Sequence, residues 1–205
     1  MKIWLDKLGK RYQRHWVFRN ISQEFVPASR TAILGKNGSG KSTLLRIIAG
    51  MQTASEGGVK HFLKDVELPP TATFSQVSFC APGMDLPEEL TLQEFFEFHF
   101  SFKKPLQGCS ISSIIEETGL VRAANKPIGD FSSGMKQRVK LAQAIFSEAA
   151  LLLLDEPCTN LDENGVQQYL DWIERFGAGK TIIVASNEAR EYRFCGGKLA
   201  MEYFR

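Results

Sequence analysis

The segment from Gly35 to Ser42 combines residue types that suit phosphate binding. It reads Gly-Lys-Asn-Gly-Ser-Gly-Lys-Ser and fits the spacing G-x-x-x-x-G-K-[ST]. Glycine permits a positive φ and a close approach of the backbone, so successive N–H groups can turn toward one anion. Lys41 would then reach the terminal phosphates of a nucleotide, and the Ser42 hydroxyl would bind Mg²⁺. The predicted nucleotide-binding residues are Gly35, Lys36, Asn37, Gly38, Ser39, Gly40, Lys41, Ser42 and Thr43.

Two carboxylates follow an aliphatic run further along the chain. Leu151 to Leu154 form this run, and Asp155 and Glu156 come directly after it. Ligands of open α/β sheets bind at the carboxyl ends of the strands, where the phosphate loop would also lie. Asp155 is therefore placed to hold Mg²⁺, and Glu156, on the opposite face of the strand, could polarise an attacking water. Alone, the two acids could simply end a buried strand, but beside a phosphate loop they favour metal binding and catalysis.

A third motif opens a predicted helix over residues 134–147. Residues 131–138 read Phe-Ser-Ser-Gly-Met-Lys-Gln-Arg, and apolar residues then recur at helical spacing. Ser132 or Ser133 can serve as the N-cap. The serine hydroxyls, a glycine and the positive end of the helix dipole together suit an anion. This motif is either a plain capped helix or a surface that receives a nucleotide held by another subunit.

Short apolar strands alternate with helices around these motifs. The predicted strands are Ile3–Leu8, Ile21–Val26, Thr31–Leu34, Leu151–Leu154 and Thr181–Ala185, and the predicted helices beside them are Lys41–Ala49 and Glu163–Phe176. Such alternation is typical of a parallel sheet covered on both faces. The predicted fold class is therefore α/β.

The middle of the chain, residues 82–130, has a different composition. It is rich in helix formers and in phenylalanine, with five Phe between Phe95 and Phe102, and it is broken by Pro and Gly residues. We predict a small helical subdomain over 82–130, inserted into a core formed by residues 1–81 and 131–205. All of these parts would belong to one domain, residues 1–205.

Charge and composition exclude several classes of protein. The 25 Lys and Arg residues against 23 Asp and Glu leave a net charge of +2, so no nucleic acid is expected as a partner. The longest aliphatic run, Ala149 to Leu154, has six residues, whereas a membrane-spanning helix needs about 20. Asp6 lies where a signal peptide would need its apolar run. Four widely spaced cysteines without a zinc-binding pattern indicate reduced thiols in a cytosolic protein.

Together the motifs resemble those of the ATP-binding subunit of an ABC transporter. Gly35–Ser42 matches the Walker A loop of that family, and Leu151–Glu156 matches its Walker B strand. Residues 132–138 resemble the family signature in their Ser-x-Gly and Gln-Arg elements. Asp162 and the leucine before it match the D-loop, and Tyr12 matches the aromatic residue that stacks on adenine.

The resemblance implies a P-loop NTPase-type fold, in which a mainly parallel sheet flanked by helices carries a small antiparallel portion and the helical subdomain. It also implies a head-to-tail dimer that holds two ATP molecules with Mg²⁺, each between one subunit's Walker A loop and the other's signature. Glu156 and Lys41 would be catalytic, and Ser42 and Asp155 would bind the metal. The residues that would meet the partner's nucleotide are Ser132, Ser133, Gly134, Met135 and Asp162.

In the family this dimer drives a separate transmembrane permease. ATP binding would close the dimer and hydrolysis would reopen it, on the cytoplasmic face of the cell membrane. The transported substrate would be chosen by the membrane subunits, so this chain does not specify it.

The chain departs from the family pattern in three places. Met135 ends the signature motif where the family has glutamine, which resembles exporter-type subfamilies with a separate permease chain. Pro82 or Gly83 stands where the Q-loop glutamine is expected. Asn187 replaces the switch histidine, and no histidine occurs in the second half of the chain.

The asparagine at the switch position has a chemical consequence. Asn187 can donate a neutral hydrogen bond to a γ-phosphate, but it cannot carry a positive charge. Charge-assisted hydrogen bonds are about twice as strong as neutral ones. We therefore expect hydrolysis that is slow but real, with Asn187 in the catalytic group.

Three functional classes stay open. The leading one is the energising subunit of a transporter, because the short chain resembles small bacterial exporter subunits, including those of haem export for cytochrome c maturation. The second is a soluble ABC ATPase acting on ribosomes or DNA, although this chain has one Walker A motif and no heptad run. The third is an ATP-gated switch with negligible turnover, which Pro82 and Asn187 favour.

Overall fold

A computed structural model describes residues 1–204 of the chain. These residues form two compact units. The first unit contains Met1–Phe79, Ala149–Glu156 and the segment from Gly179 onward, and the second contains Cys80–Glu148 and Pro157–Ala178.

A small antiparallel sheet opens the first unit. Its strands are β1 (Lys2–Tyr12), β2 (His15–Phe25), β4 (Glu56–Leu63) and β5 (Val66–Glu67), in the spatial order β2-β1-β4-β5. Ile3 and Leu5 are fully buried while Trp4 and Asp6 between them are exposed, which is the alternation expected of a sheet with one solvated face. Ile3 pairs with Phe25 of β2, so the register places two apolar side chains on the same covered face.

A five-stranded sheet forms the other half of this unit. Its strands are β3 (Arg30–Leu34), β6 (Val77–Cys80), β7 (Leu151–Asp155), β8 (Thr181–Ala185) and β9 (Gly197–Ala200), in the order β6-β7-β8-β3-β9. The pairs β7–β8, β3–β8 and β3–β9 are parallel. All residues of β7 and β8 are buried, as expected of central strands in a parallel sheet. This sheet confirms the predicted α/β class.

Three helices accompany these strands: α1 (Lys41–Ile48), α2 (Pro70–Gln76) and α7 (Ala189–Tyr192). Helix α1 begins directly after the glycine-rich segment and buries Leu44, Leu45, Ile47 and Ile48. It therefore carries the residues at the end of that segment on a rigid element.

The second unit is helical. Its helices are α3 (Leu92–Phe102), α4 (Ile111–Thr118), α5 (Ser133–Ile145) and α6 (Glu163–Phe176), with short 3₁₀ turns at Val121–Ala123 and Ile128–Asp130. Helix α3 begins with a capping box, in which Thr91 accepts from the Glu94 N–H and the Glu94 carboxylate accepts from the Thr91 N–H. The rings of Phe146 and Trp172 lie 5.4 Å apart at 72°, an edge-to-face contact in the interior of the unit.

Several predicted elements differ from those in the structure. Strand β1 is longer than predicted, because Gly9, just after the predicted end at Leu8, continues the sheet by pairing with Glu56 of β4. Strand β2 begins at His15 rather than at Ile21. Strands β4, β5, β6 and β9 were not predicted. By compactness, helices α5 and α6 belong to the same unit as residues 80–132. The functional division into residues 1–81, 82–130 and 131–205 stays a prediction.

The helices of the described chain, residues 1–204, include none that combines the length and the apolar character needed to span a membrane.

Candidate nucleotide-binding site

The glycine-rich segment leaves strand β3 at Leu34 and turns sharply before helix α1. Gly38 and Gly40 have φ angles of 78° and 98°, in the left-handed region that favours glycine. A Cβ atom on Gly40 would lie 2.6 Å from Cγ1 of Val17 and 2.9 Å from Cδ1 of Phe18. Strand β2 therefore presses against the loop at Gly40, and only glycine fits there without displacement.

Lys41 folds back over the loop that precedes it. Its Nζ donates to the carbonyl oxygen of Gly35 at 2.6 Å and lies 3.5 Å from that of Lys36. The residue is only 5% exposed. These carbonyls satisfy a buried ammonium and hold it at the start of α1, where the helix dipole adds positive potential.

Asp155 ends strand β7 and contacts the residue that follows Lys41. Burial raises the pKa of Asp155, although a hydrogen bond from the Ser42 side chain acts in the opposite direction. Its Oδ1 atom is buried and has no hydrogen-bond partner among the described residues. A buried carboxylate oxygen without a donor, beside a hydroxyl, matches the oxygen ligands that Mg²⁺ takes. The predicted pair of Ser42 and Asp155 therefore fits the metal.

Glu156 follows with an unusual backbone conformation. Its φ angle is 43°, in the left-handed region that residues with a side chain seldom adopt. Its N–H donates to the carbonyl of Ala185 at 2.9 Å, so the end of β8 fixes this turn. Glu156 lines the same cavity as Lys41 and Ser42. The turn presents this carboxylate to the phosphate loop.

Asn187 follows β8 and contacts the phosphate loop directly. Its side-chain Nδ2 donates to Oδ1 of Asn37 at 2.9 Å. Both residues are exposed. The sequence predicted Asn187 for the end of this strand but did not predict its partner.

A cavity of about 330 Å³ collects most of the predicted residues of this unit. Its lining consists of Tyr12, Val17, Asn37, Gly38, Gly40, Lys41, Ser42, Thr43 and Glu156. Gly35, Lys36 and Ser39 belong to the same loop but do not line the cavity. Val17 was missed by the sequence analysis, since an apolar residue within a strand carries no signal for ligand binding.

Tyr12 lies at the edge of this cavity and is 49% exposed. Its hydroxyl accepts a hydrogen bond from the side chain of Gln52. Hydrogen bonding by Gln52 lowers the pKa of Tyr12, with a smaller contribution of the same sign from Thr43. Nothing in the sequence pointed to Gln52.

The signature and D-loop residues lie in the second unit. Ser132 is the N-cap of α5 and accepts from the Met135 N–H at 3.3 Å, while Ser133 is the first residue of the helix. A Cβ atom on Gly134 would lie 3.0 Å from the carbonyl oxygen of Asn160. Asp162 is the N-cap of α6 and accepts from the Gly165 N–H at 2.8 Å. Both motifs thus open helices, and their role toward a partner's nucleotide stays a prediction.

Pro82, one of the two residues at the expected glutamine position, also has a defined contact. The carbonyl oxygen of Pro82 accepts from Nζ of Lys140, a residue of α5, at 2.9 Å. The Met84 N–H donates to the carbonyl of Ala81, which closes a turn around this position. A main-chain contact thus fixes a turn where the family has a glutamine side chain.

A glycine-rich phosphate loop between a parallel strand and a helix, with an acidic strand end beside it, defines a P-loop nucleotide-binding domain. The chain belongs to the ABC transporter family, whose model matches residues 18–159. The family resemblance seen in the sequence is therefore confirmed, and the chain is an ATP-binding domain of the ABC ATPase type.

Curated relatives cover most of the chain. An uncharacterized ABC transporter ATP-binding protein of Bacillus subtilis, YybJ, is 31% identical over 97% of this chain and 91% of its own length. A second one from the same organism, YdbJ, is 29% identical over 91% of this chain, which spans only 61% of that relative. The cytochrome c biogenesis ATP-binding export protein CcmA of Vibrio parahaemolyticus is 32% identical over 74% of each chain.

Solved structures share the fold. An ATP-binding cassette solved as a dimer in a post-hydrolysis state, bound to ADP and Pi, superposes with a TM-score of 0.83 at 23% identity, over 97% of this chain and 93% of that chain. A putative ABC transporter ATP-binding protein from Pyrococcus furiosus gives a TM-score of 0.81 at 22% identity, over 100% of this chain and 99% of that chain.

Proposed function

We propose that this chain binds and hydrolyses Mg-ATP as the energising subunit of an ABC transporter. The observation that carries the proposal is the cavity in which the phosphate loop, Ser42 and Glu156 meet, with the buried oxygen of Asp155 at the adjacent strand end. Two such subunits would associate head to tail, so that each signature motif completes the partner's nucleotide site.

In this proposal the residues of the nucleotide site have distinct roles. Lys41 and the N–H groups of the loop neutralise the phosphate charge. Ser42 and Asp155 hold Mg²⁺, which supplies positive charge to the phosphate oxygens when bound. Glu156 accepts a hydrogen bond from the attacking water and so orients it. Asn187, hydrogen-bonded to Asn37, donates an uncharged hydrogen bond toward the terminal phosphate.

Phosphate release from Mg-ATP tests the hydrolytic step. Glu156→Gln keeps the shape of the side chain but removes the carboxylate, so turnover is expected to fall at least 100-fold while ATP binding is retained. Glu174→Gln, an exposed position on α6, is the matched control and should leave turnover unchanged. Equal turnover in the wild type and in Glu156→Gln would contradict the proposed role of Glu156.

The transport partner requires a separate experiment. We propose that the chain lies on the cytoplasmic face of the cell membrane, bound to a multi-spanning permease that exports its substrate. The export direction is supported by the likeness to CcmA, whose name describes an export protein. Tagging the chain in its native cell and solubilising the membranes gently should recover a multi-spanning protein in stoichiometric yield. Recovery of only ribosomal or other soluble partners would favour the soluble ABC ATPase instead.

A second candidate is an ATP-gated switch with very low turnover. It is favoured by Asn187 and Pro82, which stand where the family has its histidine and its glutamine. This switch would bind Mg-ATP and dimerise like the transporter subunit. Turnover that is no higher in the wild type than in Glu156→Gln, combined with ATP-dependent dimerisation, would identify it.

A further inference from the structure

The chain that follows helix α1 is bonded to the end of strand β1. The Ser55 N–H donates to the carbonyl of Gly9 at 2.8 Å, and the Arg11 N–H donates to Oγ of Ser55 at 3.0 Å. Nζ of Lys10 donates to the carbonyl of Thr53 at 2.7 Å. Oγ of Ser55 also donates to the carbonyl of Arg11 at 3.3 Å. Four hydrogen bonds thus connect Thr53 and Ser55 to the end of β1 just before Tyr12, and we call residues 52–55 the clamp segment.

The first residue of the clamp segment reaches Tyr12 itself. The Gln52 side-chain amide donates to the Tyr12 hydroxyl, and Gln52 is half-buried in this position. Nζ of Lys10 lies 5.2 Å from the centre of the Tyr12 ring. The ring is thus held at its hydroxyl end and covered by a cation, although about half of its surface remains exposed.

Helix α1 connects the phosphate loop to Gln52, whose hydrogen bond to Tyr12 we call the tether. Helix α1 starts at Lys41 and ends at Ile48, and Gly50, with a φ of 75°, closes it through a hydrogen bond from its N–H to the carbonyl of Ile47. An α-helix is a rigid spacer with a rise of about 1.5 Å per residue. Its N-terminus carries the phosphate-binding lysine, and its C-terminus leads to the residue that holds Tyr12.

We propose that Gln52 is a positioning residue, which fixes the Tyr12 ring at a set distance from the phosphate loop and so raises the affinity for nucleotides that carry a base. The inference rests on the proposed function, in which Tyr12 stacks on adenine. An exposed aromatic side chain loses rotamer freedom when a base stacks on it, which costs conformational entropy. A hydrogen bond that already restricts the ring in the free protein lowers this entropy cost of binding. Gln52 itself does not touch the ligand in this scheme.

Binding of two probes, Mg-ATP and Mg-tripolyphosphate, tests the proposal in the full-length chain. Tyr12→Phe keeps the ring and removes the hydroxyl, whereas Gln52→Leu keeps the size and removes the donor. Each substitution should weaken Mg-ATP binding about 2- to 10-fold, which is the range expected for the loss of one hydrogen bond. The double variant should bind Mg-ATP as tightly as each single variant, because both substitutions remove the same hydrogen bond. Tripolyphosphate binding should stay unchanged. Gln107→Leu, at an exposed glutamine between α3 and α4, is the matched control.

Steady-state kinetics give a second readout. Loss of the tether should raise the KM for ATP and leave kcat unchanged, because the ring contacts the base equally in the ground state and the transition state. Mg-ATP binding by Gln52→Leu equal to that of Gln107→Leu would overturn the proposal. So would an equal loss of tripolyphosphate affinity, since the variant would then act through the phosphate loop. A wild-type chain that binds neither probe would refute the proposed function itself.

Discussion

Gly40 lies in the phosphate loop at a point where a side chain would clash with strand β2. Its φ of 98° costs an alanine about 1–2 kcal/mol. The added Cβ would also lie 2.6 Å from Val17 and 2.9 Å from Phe18, and overpacking of this kind costs about 1–3 kcal/mol. Gly40→Ala should therefore lower the free energy of unfolding by about 2–5 kcal/mol.

Gly38 provides the matched control for this substitution. Its φ of 78° is also left-handed, but a Cβ atom there would meet nothing within 4 Å. Gly38→Ala should cost only about 1 kcal/mol, since the strain is partly offset by the reduced freedom of the unfolded chain. The difference between the two variants isolates the contact with strand β2. Urea denaturation followed by circular dichroism, without nucleotide, measures both, and equal destabilisation would refute the close approach at Gly40.

Three further predictions concern single side chains. Asn187→His should raise the turnover of Mg-ATP about 5- to 10-fold, because a hydrogen bond from a charged imidazole is stronger by about 1 kcal/mol than one from a neutral amide; unchanged phosphate release would contradict this. Asp155→Asn should raise the free energy of unfolding without Mg²⁺ by about 1–2 kcal/mol, because it removes a buried carboxylate whose Oδ1 lacks a partner among the described residues. It should also weaken the further stabilisation by Mg-ATP, because a proposed metal ligand is lost; urea midpoints with and without Mg-ATP measure both effects. Burial, followed by the charge of Lys103, lowers the pKa of His99 to about 4. Because the unfolded chain takes up a proton on this ring more readily than the folded protein, the free energy of unfolding should fall by about 2 kcal/mol as the pH falls from 6.5 toward 4. The thermal midpoint of His99→Gln should decline less steeply over this pH range.

The phosphate loop could be recognised in the sequence for a physical reason. Phosphate binding by a loop depends on backbone geometry, and backbone geometry of this kind requires glycine at fixed spacing, which is visible in the letters of the chain. The aliphatic run before Asp155 was equally visible, because a central parallel strand is buried on both faces.

The rest of the fold and site could not be predicted because it depends on pairing between distant segments. Strand β4 has two glycines and exposed polar residues, and becomes a strand only because β1 offers it hydrogen bonds. Gln52 and Asn37 have ordinary side chains whose partners lie 40 and 150 residues away. Contacts of this kind leave no local pattern.

A histidine at position 187 could donate a hydrogen bond and carry a positive charge, whereas Asn187, which donates to Asn37, can do only the first. The asparagine lies at the end of β8 and touches the phosphate loop, so the position of a hydrogen-bond donor is kept. The positive charge is lost, and charge matters most where negative charge develops on the transferring phosphoryl group. In the proposed function, ground-state binding of ATP would rely instead on Lys41, the loop and the proposed metal ligands, Ser42 and Asp155. Substitutions at Asn187 should therefore change kcat far more than the affinity for ATP, and a variant that changed both equally would show that this residue holds the loop rather than the reacting phosphate.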